Sequence, residues 1–171
     1  SVILVDLLAS TSSTSAHGFR PTPNVVLASG PPTDVAFVNT DGGLRLAAVV
    51  PSKQSLSLID PATGISKDIE LGAPFEHLSL VTGIVGSSAA GADVALLWSA
   101  SSPFISFVAL GSTAGKPYKS VERLQLEQPI ARVIDVPAPN DRLKILAAAD
   151  GRAFFVLDLI ARTASPIVSS G

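Results

Sequence analysis

The chain has 171 residues, 47% hydrophobic and 15% charged, with a formal net charge of -2 and neither cysteine nor methionine. A chain near this length buries roughly two thirds of its unfolded surface, enough for one domain with a real core, and its apolar content and weak charge exclude disorder. The 12 Lys+Arg set against 14 Asp+Glu exclude a strongly basic nucleic-acid binder, and the lack of cysteine excludes a disulfide scaffold, a zinc–thiolate site and a catalytic thiol.

In chain order, Val2–Leu8 reads as a strand that begins in mid-protein. It has no basic leader, and Asp6 interrupts the run where a signal peptide is most apolar. Residues 9–23, rich in Ser, Thr and Pro, read as a mobile connection to a strand at Asn24–Ala28. Val35–Val38, Leu44–Val50, Ser55–Asp60 and Ile65–Leu71 follow, separated by the turns Asp41-Gly42-Gly43 and Pro61-Ala62-Thr63-Gly64. No charge occurs from Val94 to Gly115, yet Ser99–Pro103 splits the stretch into Val94–Trp98 and Phe104–Leu110. Each run is far short of the roughly 20 residues of a spanning helix, so two buried strands joined by a turn are expected and no membrane span. Residues 111–120 form a second Gly/Ser/Lys-rich loop, and Leu143–Ala149 runs into the hairpin signal Asp150-Gly151 before Ala153–Leu157. Helical periodicity over 11 or more residues is absent throughout, which makes the protein all-β.

Four segments repeat one pattern of alternating apolar residues running into a turn: Val2–Leu7, Leu56–Pro61, Ile105–Leu110 and Phe154–Leu159. Their matching positions 6, 60, 109 and 158 are spaced by 54, 49 and 49 residues, a period that fits a four-stranded propeller blade. The unit from Pro32 to Gly72, with its Asp41-Gly42 turn and its Ile59-Asp60-Pro61-Ala62-Thr63-Gly64 hairpin, resembles a blade of the bacterial YVTN-type and WD-like β-propellers. No Tyr-Val-Thr-Asn tetrapeptide is present. The resemblance implies a partial β-propeller of about three and a half blades: a half blade at 1–30, then blades at 31–72, 73–128 and 129–171. It implies completion by another segment or chain, because an open arc exposes apolar faces and strand edges. Lys67, Asp68, Glu70, Glu122, Arg123 and Glu127 are expected on the outer edges, where charge blocks sheet-to-sheet aggregation.

Catalytic signals are sparse. The two histidines, His17 and His77, lie 60 residues apart, without the paired spacing of a zinc motif, and His17 beside Ser15 lies in a segment too mobile to preorganise a base. The Gly-rich turns at Gly42-Gly43 and Gly83–Gly91 lack the helix or lysine that cradles phosphate. No catalytic residue, metal site or cofactor is therefore assigned, and Trp98, Phe104 and Phe107 read as core between blades. Aligning the inner strands places Asp34, His77 and Arg132 at equivalent starts, the mouth of a propeller's central channel. Asp135, a charge within an inner strand, is expected to pair with Arg132 or to line the same channel. These four form a candidate mixed-charge ligand or peptide site.

The reading is a non-catalytic scaffold for protein or ligand binding. The resemblance, with the Ser/Thr/Ala-rich, low-charge composition, places it in an extracytoplasmic bacterial setting: periplasm, surface or secreted. The alternative is part of a propeller enzyme, a lactonase-like hydrolase or a quinoprotein-type dehydrogenase, with His77 and Asp34 among the channel ligands.

Overall fold

The computed structural model describes residues 2–5, 23–81, 92–112, 120–136 and 142–168, with side chains from Val26 onward. Residues 9–22, His17 and Ser15 included, the glycines of 83–91 and most of the 111–120 loop lie outside the described residues.

Fourteen strands account for nearly all the described secondary structure. They are β1 (Val2–Val5), β2 (Pro23–Val26), β3 (Asp34–Thr40), β4 (Gly43–Val50), β5 (Ser55–Ile59), β6 (Ser66–Glu70) and β7 (His77–Val81), then β8 (Val94–Ser99), β9 (Ser102–Ala109), β10 (Val121–Gln125), β11 (Ile130–Asp135), β12 (Leu143–Ala148), β13 (Phe154–Asp158) and β14 (Thr163–Pro166). One 3-10 turn at Pro51–Lys53 joins β4 to β5. The chain is all-β, and no helix among the described residues is long and apolar enough to cross a membrane. Val94–Trp98 falls within β8 and Phe104–Ala109 within β9.

The strands form three four-stranded antiparallel sheets, each a meander in chain order: β3–β6 (sheet one), β7–β10 (sheet two) and β11–β14 (sheet three). A two-stranded sheet, β1–β2, precedes them. The four repeated sequence segments fall on β1, β5, β9 and β13. Burial explains the composition of each strand. β8 is buried at all six positions and consists of Val, Ala, Leu, Leu, Trp and Ser, whereas β6 is exposed at four of five and carries Lys67, Asp68 and Glu70. A strand covered on both faces loses polar alternation, and an edge strand paired on one side tolerates charge. Glu122 and Arg123 occupy the other charged edge, β10, with Glu127 just beyond it.

Three apolar clusters fill the gaps between successive sheets. Val26 packs with Leu46, Ala48 and Ile59 between the β1–β2 sheet and sheet one. Val38, Val49, Leu56 and Phe75 meet Leu97 and Val108 between sheets one and two. Trp98, Ile105 and Phe107 meet Ile130, Leu146 and Leu157 between sheets two and three. Trp98 and Phe107 are thus core as expected, while Phe104, on the opposite face of β9, packs in the other gap. Each fully buried Leu or Ile contributes roughly 1.5–3 kcal/mol.

Turn chemistry repeats between sheets. Asp60 Oδ1 accepts the N–H groups of Ala62 and Thr63, and Gly64 closes the turn by donating to Asp60 O at 2.8 Å. Asp158 Oδ1 accepts the N–H groups of Ile160 and Ala161, and Arg162 donates to Asp158 O at 2.9 Å. The closing residue is left-handed in both, φ 73° at Gly64 and φ 57° at Arg162. A Cβ at Gly64 would meet nothing within 4 Å, so only the backbone resists a side chain there. Gly64→Val is expected to cost about 1–2 kcal/mol, read as a lower melting midpoint; an unchanged midpoint would remove this account of the turn.

Candidate functional site

Asp34 opens β3, and both of its carboxylate oxygens are engaged. Oδ1 accepts the N–H of Val35 at 2.9 Å, and Oδ2 accepts the N–H of Leu78, on β7, at 2.9 Å. Thr33 adds a second strut, donating its hydroxyl to Glu76 O at 2.8 Å. Asp34 therefore joins the first strands of sheets one and two. His77 opens β7, and its ring lies tilted on Trp98, centroids 5.5 Å apart at 34°. Arg132 follows an irregularity in β11, pairs across to Ala147 and is exposed. Asp135 ends β11 and forms an ion pair with Lys144 opposite it on β12, the carboxylate side chain 77% exposed and the lysine 11%. The lysine stem is packed, and its ammonium emerges beside the acid.

No hydrogen bond or ion pair joins any two of the four among the described residues. The expected Asp135–Arg132 pair does not form, because residues three apart in a strand point to opposite faces. Lys144 takes the place of Arg132. Alternation also separates the other three. Asp34 shares a face with Val38, which packs between sheets one and two, and His77 shares a face with Val81, which packs between sheets two and three. Arg132 shares the remaining face of sheet three with the exposed Ile134. Asp34 and His77 thus face two successive gaps, and Arg132 the open outer face of sheet three.

Sequence reasoning passed over a buried carboxylate that joins two sheets. Asp93, 3% exposed, accepts the N–H of Asn39 at 2.7 Å and donates its own N–H to Asn39 O at 2.9 Å. Asn39 Nδ2 also reaches Asp93 Oδ2 at 3.4 Å. The signal available was a lone carboxylate, Ala92-Asp93-Val94, opening a wholly apolar run. Two arginines bridge neighbouring sheets as well. Arg123 donates to Leu71 O, and Arg162 reaches back from sheet three to Glu122 Oε2 at 3.3 Å while its guanidinium lies 4.1 Å over the Phe107 ring.

At the end of β3 remote from Asp34, a groove of 810 Å³ opens between sheets one and two. Leu58 and Ile69 form apolar wall, and Arg45, Asp60, Lys67 and Asp68 supply both signs of charge. Asp41 accepts the N–H of Ser112 across the gap. Arg45 stands 3.7 Å from Asp60, whose carboxyl is held below the usual range chiefly by the N–H of Ala62, with Thr63 and Arg45 adding to it. Such a surface can hold a mixed-charge ligand. No group of three potential metal-ligating side chains occurs among the described residues.

A further electrostatic perturbation lies on sheet three. The Arg142 guanidinium donates to both oxygens of Asp158 and, with the N–H groups of Ala161 and Ile160, holds its pKa down to about 2. Since this lies below the 3.8 of an unperturbed aspartate, the stabilisation is complete above pH 4 and fades as pH falls toward about 2. Asp158→Asn is expected to destabilise at pH 6, with the gap from the parent chain closing as acid unfolding is followed from pH 4 to 2. A gap independent of pH would refute the ion pair's role.

In comparisons with known proteins, no family model and no curated protein matches the chain.

Proposed function

We propose that the chain is an arc of a YVTN-like β-propeller, serving as a non-catalytic scaffold that binds a protein partner or ligand in an extracytoplasmic setting. Supporting the propeller is the way the sheets splay. β3 and β7, the first strands of sheets one and two, come within 8 Å between Cα atoms, closer than the roughly 10 Å of stacked sheets, and Asp34 bonds across there. β1 and β2 then stand as third and fourth strands of a blade whose inner pair comes from a companion segment or subunit.

The observation that carries the binding role is the apolar surface at both ends of the stack. Val35, Phe37 and Leu44 are 41%, 50% and 51% exposed on sheet one, and Ile134, Phe154 and Ile167 are 43%, 47% and 49% exposed on sheet three. Side chains of this size clustered at the surface mark an interaction face. The enzyme alternative gains no support, since the Asp34 oxygens are occupied by backbone N–H groups and His77 lies on Trp98.

Light scattering on the 171-residue chain, with a fluorescent dye that reports apolar surface, tests the proposal. Self-association or strong dye binding is the expected result; a monodisperse monomer that leaves the dye dark overturns it.

A further inference from the structure

We propose that the exposed strip of sheet one, with the free edge of β1, is a docking site for a two-stranded β-hairpin supplied from outside these 171 residues. The inference rests on the arc reading above and names what the first gap accepts.

Three observations converge. Among the described residues β1 pairs only with β2, so its other edge presents unpaired backbone groups, a template for strand addition. The β1–β2 sheet covers only part of the face beneath it, where Val26 and Ala28 bury Leu46, Ala48 and Ile59. What stays open on that face is Val35, Phe37 and Leu44, residues of β3 and the start of β4. The uncovered area is two strands wide, about 10 Å at the usual spacing, which one hairpin spans. The added layer continues an interface already half formed.

The structure also specifies the hairpin's chemistry. In each complete sheet the second strand runs antiparallel to the third, so the strand on β1 runs antiparallel to it. In the neighbouring gap, the inner pair of sheet one turns Ala36, Val38, Ala47 and Val49 toward sheet two. The incoming hairpin therefore presents small apolar residues, Ala and Val in size, at alternate positions. A second copy of the chain does not fit, because its inner pairs β3–β4, β7–β8 and β11–β12 each already complete a four-stranded sheet. The sequence of residues 9–22, a run rich in Ser and Thr, lacks the apolar alternation such a hairpin needs.

The chain's own inner pair provides the probe. Position 6 matches position 60, so Ser1 aligns with Ser55, and a duplicate of residues 33–54 fused ahead of Ser1 reproduces the β4-to-β5 connection. The grafted chain is expected to melt about 5 °C or more above the parent. Its dye signal is expected to fall about twofold, and exchange of the β1 amides to slow about tenfold. Phe37→Asp, which leaves the parent's melting midpoint nearly unchanged because the ring is half exposed while lowering its dye signal, is expected to abolish the graft's gain in midpoint. A separate arm adds residues 33–50 as a peptide to the parent chain and reads displacement of the dye. A soluble graft with unchanged midpoint, dye signal and β1 exchange overturns the proposal. If the graft aggregates, a peptide that displaces no dye overturns it. In either case, persistent dye binding that Phe154→Asp removes leaves the arc reading standing, whereas a dye-dark monomeric parent refutes both.

Discussion

Phe107→Ala is expected to lower the unfolding free energy by about 3–5 kcal/mol, among the largest effects available to a single substitution here. The ring is 2% exposed, in the gap between sheets two and three, with Trp98 and Ile105 on its own sheet and Leu146, Phe155 and Leu157 across from it. These neighbours sit on strands paired at fixed register, so they collapse little into the void. Truncation also strips the Arg162 guanidinium of the ring it covers at 4.1 Å, worth about 0.5–1 kcal/mol more. Phe104→Ala, on the opposite face of β9 and only partly buried, is expected to cost about half as much. Urea unfolding, with midpoint and slope both fitted, distinguishes the two; a Phe107→Ala loss below about 1 kcal/mol would mean that the gap is loosely filled.

The strand pattern was legible because both ends of the burial scale leave marks in sequence. Central strands such as β8 are apolar at nearly every position, edge strands such as β6 collect Lys, Asp and Glu, and Asp-Gly or Pro-x-Thr-Gly turns separate them. The turn closed by Arg162 shows where this fails. It has the hydrogen bonding of the turn closed by Gly64, yet a non-glycine residue holds φ 57°, because its guanidinium is anchored on Glu122 and Phe107 of the next sheet. Contacts of that kind depend on which sheets become neighbours, which local patterning does not encode. For the same reason the alignment of inner strands places Asp34, His77 and Arg132 at equivalent positions without showing that Asp34 and His77 turn toward different gaps and Arg132 toward the open face of sheet three. Asp34, expected at a channel mouth, has its acceptors taken by the N–H groups of Val35 and Leu78.

Asp93→Ala is expected to cost about 1.5 kcal/mol, the lower end of the range for a hydrogen bond to a charged group. Asp93 is 3% exposed, but Asn39 is exposed and the bond only part-buried, so removing the carboxylate deletes a charge-assisted bond between the sheets while water can reach the freed Asn39 N–H. The reciprocal bond from Asp93 N–H to Asn39 O is backbone to backbone and survives, which limits the damage to one side of the bracket. Asp93→Asn keeps an acceptor oxygen and relieves a buried charge, so it should retain most of the stability. Asn39→Ala should cost only a few tenths of a kcal/mol, because it deletes the long 3.4 Å side-chain bond and spares the 2.7 Å backbone one. The three variants thus have a fixed order of cost, with Asp93→Ala above the other two. Amide exchange checks the cause directly: the Asn39 N–H should exchange faster in Asp93→Ala than in Asp93→Asn at equal global stability. Equal protection in the two would show that the bond between sheets one and two is not held by this carboxylate.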